Sequence, residues 1–223
     1  MDEAEVQRRI ESLLNCESIH VLGAGLKSDR PAHQLVHDLD QRGWRLVPIH
    51  PNDAGGAILG RPIRASLEAA DPPSVVVFFL SPQRTMMALI RMIASVPRED
   101  MPLVWLQPGA TDDDVSALLE EGGYDAVTET CIVRFIEAHD LQSKAGLKPQ
   151  PWFHQVLSST TQCSVWSVHE GTETTGNDGE GEHEWCGDAR DLERSSHLVP
   201  RYIRSLRRDK ETFEALGQRL AQP

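Results

Sequence analysis

The residues best suited to chemistry lie between positions 23 and 31: Gly23, Ala24, Gly25, Lys27, Arg30 and Pro31. Two glycines one residue apart allow a tight turn and a close backbone approach. A helix that begins after them offers unpaired N–H groups and the positive end of its dipole, and Lys27 and Arg30 add two cations. Phosphate binding is the chemistry this pattern predicts. The plainer reading is an ordinary strand-to-helix turn with no ligand. His33 and His37, at i and i+4 on the following helix, have a spacing that ligates metals, although packing of one and solvation of the other is the simpler role. Cys131 reads either as a reactive thiol or, more simply, as a buried structural one. Cys163, His169, His183 and Cys186 include one tight pair, His183-x-x-Cys186, at a spacing too loose overall for a zinc knuckle, so no metal site is expected. His20 reads as a polar residue near the start of a strand.

The elements that position these residues follow from periodicity. Val6, Ile10, Leu13 and Leu14 recur at helical spacing and lead into a strand at Ile19 to Leu22. Leu35, Val36 and Leu39 mark a helix ending near Gly43, and Trp44 to Ile49 is a second strand. A loop through His50, Pro51, Asn52 and Asp53 gives way to a brief extended piece over Ile58 to Ile63 and to a short helix, LEAA, with Ser66 as its N-cap. Ser74 to Leu80 is a continuous apolar run, as expected of a strand buried on both faces. A helix opened by Ser81-Pro82, a fourth strand at Leu103 to Leu106, a helix at Asp112 to Glu121 with three aspartates in its first turn, and a fifth strand at Tyr124 to Val127 complete the alternation. Strands alternating with helices predict an α/β chain with a doubly wound parallel sheet. Ligands of such sheets bind at the carboxyl ends of the strands, here loops 23–31, 50–56, 80–84 and 107–111.

Composition narrows the ligand classes. The chain has 223 residues, 39% of them hydrophobic and 25% charged, and reads as globular. A formal net charge of −12 argues against a nucleic-acid surface, so an anionic ligand needs a local concentration of positive groups. No apolar run approaches the roughly 20 residues of a membrane span, and the amino terminus is acidic and amphipathic rather than a signal peptide; a cytoplasmic location is expected. Four scattered cysteines fit reduced thiols. Among nucleotides NAD is disfavoured, because Ser28 stands where a dinucleotide fingerprint needs its third glycine and His50-Pro51 where it needs an acid. The P-loop pattern is missing as well.

The runs VLGAGLKSDRPAHQLVHDL, GWRLVPIHPND with ILGRPIRASLEAA, WLQPGA, and Cys131-Ile132 with Glu137-Ala138-His139 are together similar to the small stand-alone CoA-binding proteins related to the N-terminal domain of the succinyl-CoA synthetase alpha subunit. The similarity runs from about residue 8 to 140. It implies a Rossmann-like domain of about five strands in the order 3-2-1-4-5 that binds coenzyme A. By the same resemblance Gly23, Ala24, Gly25, Lys27, Arg30 and Pro31 meet the pyrophosphate, and His50, Pro51 and Asn52 approach the adenosine. Ser81, Gln107 and Gly109 line the remaining wall. Relatives often carry arginines just after the third strand and Asp-Arg-Cys near the last one; here those segments read FFLSPQR and Glu129-Thr130-Cys131, with Arg84 one helical turn on as the available substitute. The phosphohistidine of the synthetases belongs to a second domain outside this resemblance, so the implied activity is non-catalytic binding of CoA or an acyl-CoA.

Two other classes stay open at this point. One is a degenerate member acting as a protein-interaction module, and the other an enzyme acting on a CoA thioester or another nucleotide. Residues 1–140 are expected to form the binding domain and 141–223 a carboxyl-terminal extension. In the latter, Gly146 to Pro151 reads as a linker and Trp152 to Val168 as one or two extended segments. About 170–190 is too polar to order, and Tyr202 to Leu220 reads as a terminal helix with an arginine cluster at its start. A protein partner, if there is one, is expected on this extension.

Overall fold

A computed structural model of the chain describes residues 2–144, 150–171 and 181–222. It resolves into two compact units: Met1–Gly23, Arg30–Leu46 and Pro73–Leu147 form the first, and Ala24–Asp29, Val47–Pro72 and Lys148–Pro223 the second. The boundary expected near residue 140 follows the chain, whereas these units follow packing. The chain leaves the first unit and re-enters it twice before the extension begins.

The elements, in chain order, are α1 (Glu3–Asn15), β1 (Ser18–Leu22), α2 (Pro31–Asp40), β2 (Arg45–Ile49), β3 (Ala57–Ile58), β4 (Arg61–Pro62), β5 (Val75–Phe78), α3 (Pro82–Ser95), β6 (Leu103–Leu106), α4 (Asp113–Gly122), β7 (Ala126–Val127), α5 (Ile132–Ala138), β8 (Trp152–Ser158), β9 (Ser164–His169), β10 (Gly181–Asp188), α6 (Ala189–Arg194), α7 (Leu198–Ser205) and α8 (Phe213–Ala221). Among the described residues no helix is long and apolar enough to cross a membrane.

The central sheet has five strands in the order β2-β1-β5-β6-β7, with β1, β5, β6 and β7 paired in parallel. Every residue of β1, β5 and β6 is buried, as a sheet covered on both faces requires. Helices α1, α2, α3 and α4 fall close to their expected places. Asp112 caps α4 by accepting from the Val115 N–H at 3.0 Å, and Gly123 ends that helix at φ 60°. The strand order corrects the expected 3-2-1-4-5 in one respect. The position beside β2 is filled by a single parallel bridge, Ile49 to Arg64, rather than by a full strand. The chain before it turns back on itself as the β3–β4 hairpin through Leu59 (φ 50°) and Gly60 (φ 71°), and Pro62 has no N–H to donate. The third expected strand, Val75–Phe78, lies between β1 and β6, so the five expected strands stand in the order 2-1-3-4-5. The expected LEAA helix is a single 3-10 turn, Leu67–Ala69, after Ser66, whose side chain makes no cap bond.

The second unit is built on a three-stranded antiparallel sheet, β10-β8-β9. Its core joins Ala69 to Phe153, Trp185, Ala189, Leu192, Ile203 and Leu216, with Trp166, Val168, Val199, Phe213 and Leu220 against it. Expected disorder over about 170–190 falls partly outside the described residues, at 172–180. Within that span Gly181–Asp188 is a strand, because Trp185 and Cys186 are buried and β8 satisfies its backbone. The expected linker over 146–151 likewise falls mostly outside the described residues. The single terminal helix expected from Tyr202 to Leu220 is two helices, α7 and α8. Lys210 at φ 59° breaks the run, and the Thr212 side chain starts α8 by accepting from the Ala215 N–H at 3.2 Å.

Candidate functional site

In the first unit the carboxyl ends of β1, β5 and β6 lie side by side, tied by Phe79 N–H to Leu22 O (3.0 Å) and Gln107 N–H to Phe78 O (3.3 Å). Gly23 leaves β1 at φ 97°, and a Cβ there would stand 2.8 Å from the Phe79 carbonyl oxygen, so both conformation and space demand glycine. Helices α2 and α3 rise from this edge. Arg30 precedes α2 and Ser81 precedes α3, each without a side-chain cap bond, and each helix has proline in its first turn. Of the other helices α5 also lacks a side-chain cap, while α1, α4, α6, α7 and α8 are each capped by the side chain of the preceding residue. The His33 N–H donates to the Arg30 carbonyl at 3.0 Å and the prolines have no N–H, which leaves Ala32 of α2 and Gln83 and Arg84 of α3 as the first-turn N–H groups able to donate to an anion. Arg30 and Arg84 are exposed, and among the described residues neither forms an ion pair. Gln107 is 4% exposed and its side-chain Nε2 has no hydrogen-bond partner among the described residues. Gly109 follows at φ 85° with nothing within 4 Å of its Cβ position, leaving the turn open. Thr85, fully buried in the first turn of α3, has a hydroxyl that likewise lacks a partner there.

The second unit holds the rest of the predicted set: Ala24, Gly25, Lys27, His50, Pro51 and Asn52. Here the glycine loop and the loop after β2 come together around Asp53. Its carboxylate accepts from the Leu26 N–H at 2.8 Å and lies 3.2 Å from His50 Nδ1. A Cβ on Gly25 would stand 2.1 Å from that carboxylate and 2.9 Å from the His50 ring, so glycine is required for the contact. Lys27, Pro51 and Asn52 are exposed, and Lys27 makes no ion pair among the described residues. The sequence pattern assigns Asp53 no role; its place three residues after His50 is the available signal.

The remaining candidates are accounted for locally. His33 and His37 stack with ring centroids 5.0 Å apart and their Nε2 atoms 3.1 Å apart, which makes them a hydrogen-bonded pair on α2. Among the described residues no group of three or more His, Cys, Asp or Glu is arranged to hold a metal. All four cysteines are free. Burial pushes the Cys16 and Cys186 thiols up to about 12, which keeps them protonated and unreactive at neutral pH. Cys131 is half-buried at the start of α5, next to Thr130, whose carbonyl accepts the Trp105 indole N–H at 2.7 Å.

Residues 17–136 match the family model described as a CoA binding domain. An uncharacterized protein of Bacillus subtilis, YneT, is 27% identical over 124 residues, which is 55% of this chain and 87% of the relative. A solved structure from Thermus thermophilus is 27% identical with a TM-score of 0.53, covering 62% of this chain and 98% of its own. A hypothetical protein from Pyrococcus horikoshii, 22% identical with a TM-score of 0.52, covers 62% and 92% and shares the fold. Residues beyond 136 lie outside the family match.

Proposed function

This chain belongs to the CoA binding domain family, and we propose that it binds coenzyme A or an acyl-CoA at the carboxyl edge of its parallel sheet. The observation that carries the reading is the buried, unpartnered Nε2 of Gln107 at that edge. Leaving a buried donor unsatisfied costs about 1–3 kcal/mol, which a ligand acceptor removes. The starts of α2 and α3, and the guanidinium groups of Arg30 and Arg84, which form no ion pair among the described residues, supply the charge that the ligand's phosphates require. Gly23 lets the backbone approach the pyrophosphate, Pro31 begins the helix that faces it, and Ser81 and Gly109 stand at the two neighbouring strand ends. The groups offered are donors and cations, which suits binding rather than turnover. In the second unit Lys27, beside Ala24 and Gly25, and the His50-Pro51-Asn52 turn are assigned the phosphate-facing and adenosine-facing roles implied by the resemblance.

A second reading, a protein-interaction module that has given up its nucleotide, is favoured by Asp53, which places a carboxylate against the Leu26 N–H of the glycine loop. Calorimetric titration separates the two. CoA, NAD and ATP are titrated into wild type and Arg30→Ala. Binding of CoA that weakens at least tenfold in the variant, about 1.4 kcal/mol, with no signal from NAD, is the expected result. No heat from any nucleotide rules out CoA binding and leaves the interaction module.

A further inference from the structure

The carboxyl-terminal extension reaches the glycine loop through one buried cation. Arg64, 1% exposed, sits between Ile63 and Ala65, just before the short turn at Leu67–Ala69. A guanidinium that far from water requires full pairing. Asp191, 0% exposed, receives its Nε at 3.0 Å and its Nη2 as well, and Asp188 receives Nη2 at 3.2 Å. Asp191 also accepts from the backbone N–H of Asp71 at 3.0 Å and of Asp188 at 2.8 Å. Arg64 is thereby fixed from residues more than 120 positions away in sequence. Its backbone then carries the placement onward. The Arg64 carbonyl accepts from the His50 N–H at 3.0 Å, and its own N–H donates to the Pro48 carbonyl at 2.9 Å. From His50 the contacts run to Asp53 and from Asp53 to the Leu26 N–H. Asp188 and Asp191, at the N-cap and N3 positions of α6, make the reciprocal hydrogen bonds of a capping box, so one pair of carboxylates both starts that helix and holds the cation.

We infer that the extension is a positioning element for the glycine loop, with Asp191 and Arg64 as its positioning residues. The inference deepens the CoA reading and rests on it only where affinity is the measurement. Residues 24–29 join Gly23 to Arg30, so a loop freed at Leu26 presents the phosphate-binding segment less often in its competent form, and apparent affinity falls with that fraction. The coupling is reciprocal: a ligand that fixes the loop must also protect the extension.

Amide hydrogen exchange on the full chain tests this, in wild type and Asp191→Asn, with and without CoA. Without ligand, the variant is expected to exchange at least tenfold faster at Leu26 and over residues 50–56, with β5 and β6 unchanged. With ligand, wild type gains protection at Arg64, Asp71 and Asp191, and CoA affinity drops at least tenfold in the variant. Unchanged exchange at Leu26 overturns the inference. If CoA fails to bind wild type, the CoA reading falls while the ligand-free comparison still decides the positioning role. If Asp191→Asn exchanges rapidly everywhere, Asp188→Asn decides, because asparagine still caps α6 and only the charge facing Arg64 is lost. An increase of about threefold at Leu26 is expected there, and none overturns the proposal.

Discussion

The two units are stabilised by different means. The first is a parallel sheet whose strands and helices alternate along the chain; its core comes from runs such as Val75–Phe78, and the groups proposed to face the ligand stand at strand ends. Both are assembled from three separate stretches, but the second keeps a guanidinium and two carboxyl side chains, those of Arg64, Asp71 and Asp191, almost wholly out of water, whereas the first buries the guanidinium of Arg9 against the exposed carboxylate of Asp125. A fold closed by distant charges fails at the charge. That difference sets the order of the expected effects.

The largest effect belongs to the second unit. Asp191→Ala leaves Arg64 buried without its main partner and is expected to cost about 3–5 kcal/mol, read by urea denaturation through Trp152, Trp166 and Trp185; a loss under about 1 kcal/mol contradicts the contrast. The matching break in the first unit is Gly23→Ala. Its φ of 97° and the 2.8 Å approach to the Phe79 carbonyl predict a loss of about 1–3 kcal/mol in the same experiment. Acid separates the units more gently. Burial pushes both His183 and His197 below the ordinary imidazole value, so below about pH 6.5 the unfolded chain takes up protons that the folded second unit resists. Stability is complete above that pH and falls as pH drops through it toward the folded values. Denaturation midpoints followed by those tryptophans from about pH 7.5 to 5.5 check this, and a flat profile contradicts it. The smallest effect concerns charge on the glycine loop. Asp53→Asn keeps an acceptor for the Leu26 N–H and removes one negative charge, so CoA is expected to bind about threefold more tightly at low salt, with the gain fading as salt rises.

The same difference decides what the sequence reveals. Leu35, Val36 and Leu39 at helical spacing, the apolar run from Val75 to Phe78 and the aspartates of α4 are local signals, and the elements they announce are present. Gly23, Gln107 and Gly109 follow strand ends where the sequence places them, since a strand end followed by a turn is a local pattern. No such pattern marks Arg64. Its partners lie 124 and 127 residues on, and nothing between Ile63 and Ala65 announces a buried charge. Gly181–Asp188 looked too polar to order because its Gly and Glu content conceals Trp185, which becomes informative only when Ala69 and Phe153 surround it. The break between α7 and α8 turns on Lys210 and on Thr212 as a cap, a local signal outweighed by the apolar periodicity on either side.

The account centres on the sheet edge as the CoA site, and an amide nitrogen–proton correlation spectrum titrated with CoA tests it most directly. Saturable shifts at Gly23, Ala32, Arg84 and Gln107, including the Gln107 side-chain amide, are the predicted result. A spectrum in which those signals stay fixed at millimolar CoA contradicts it.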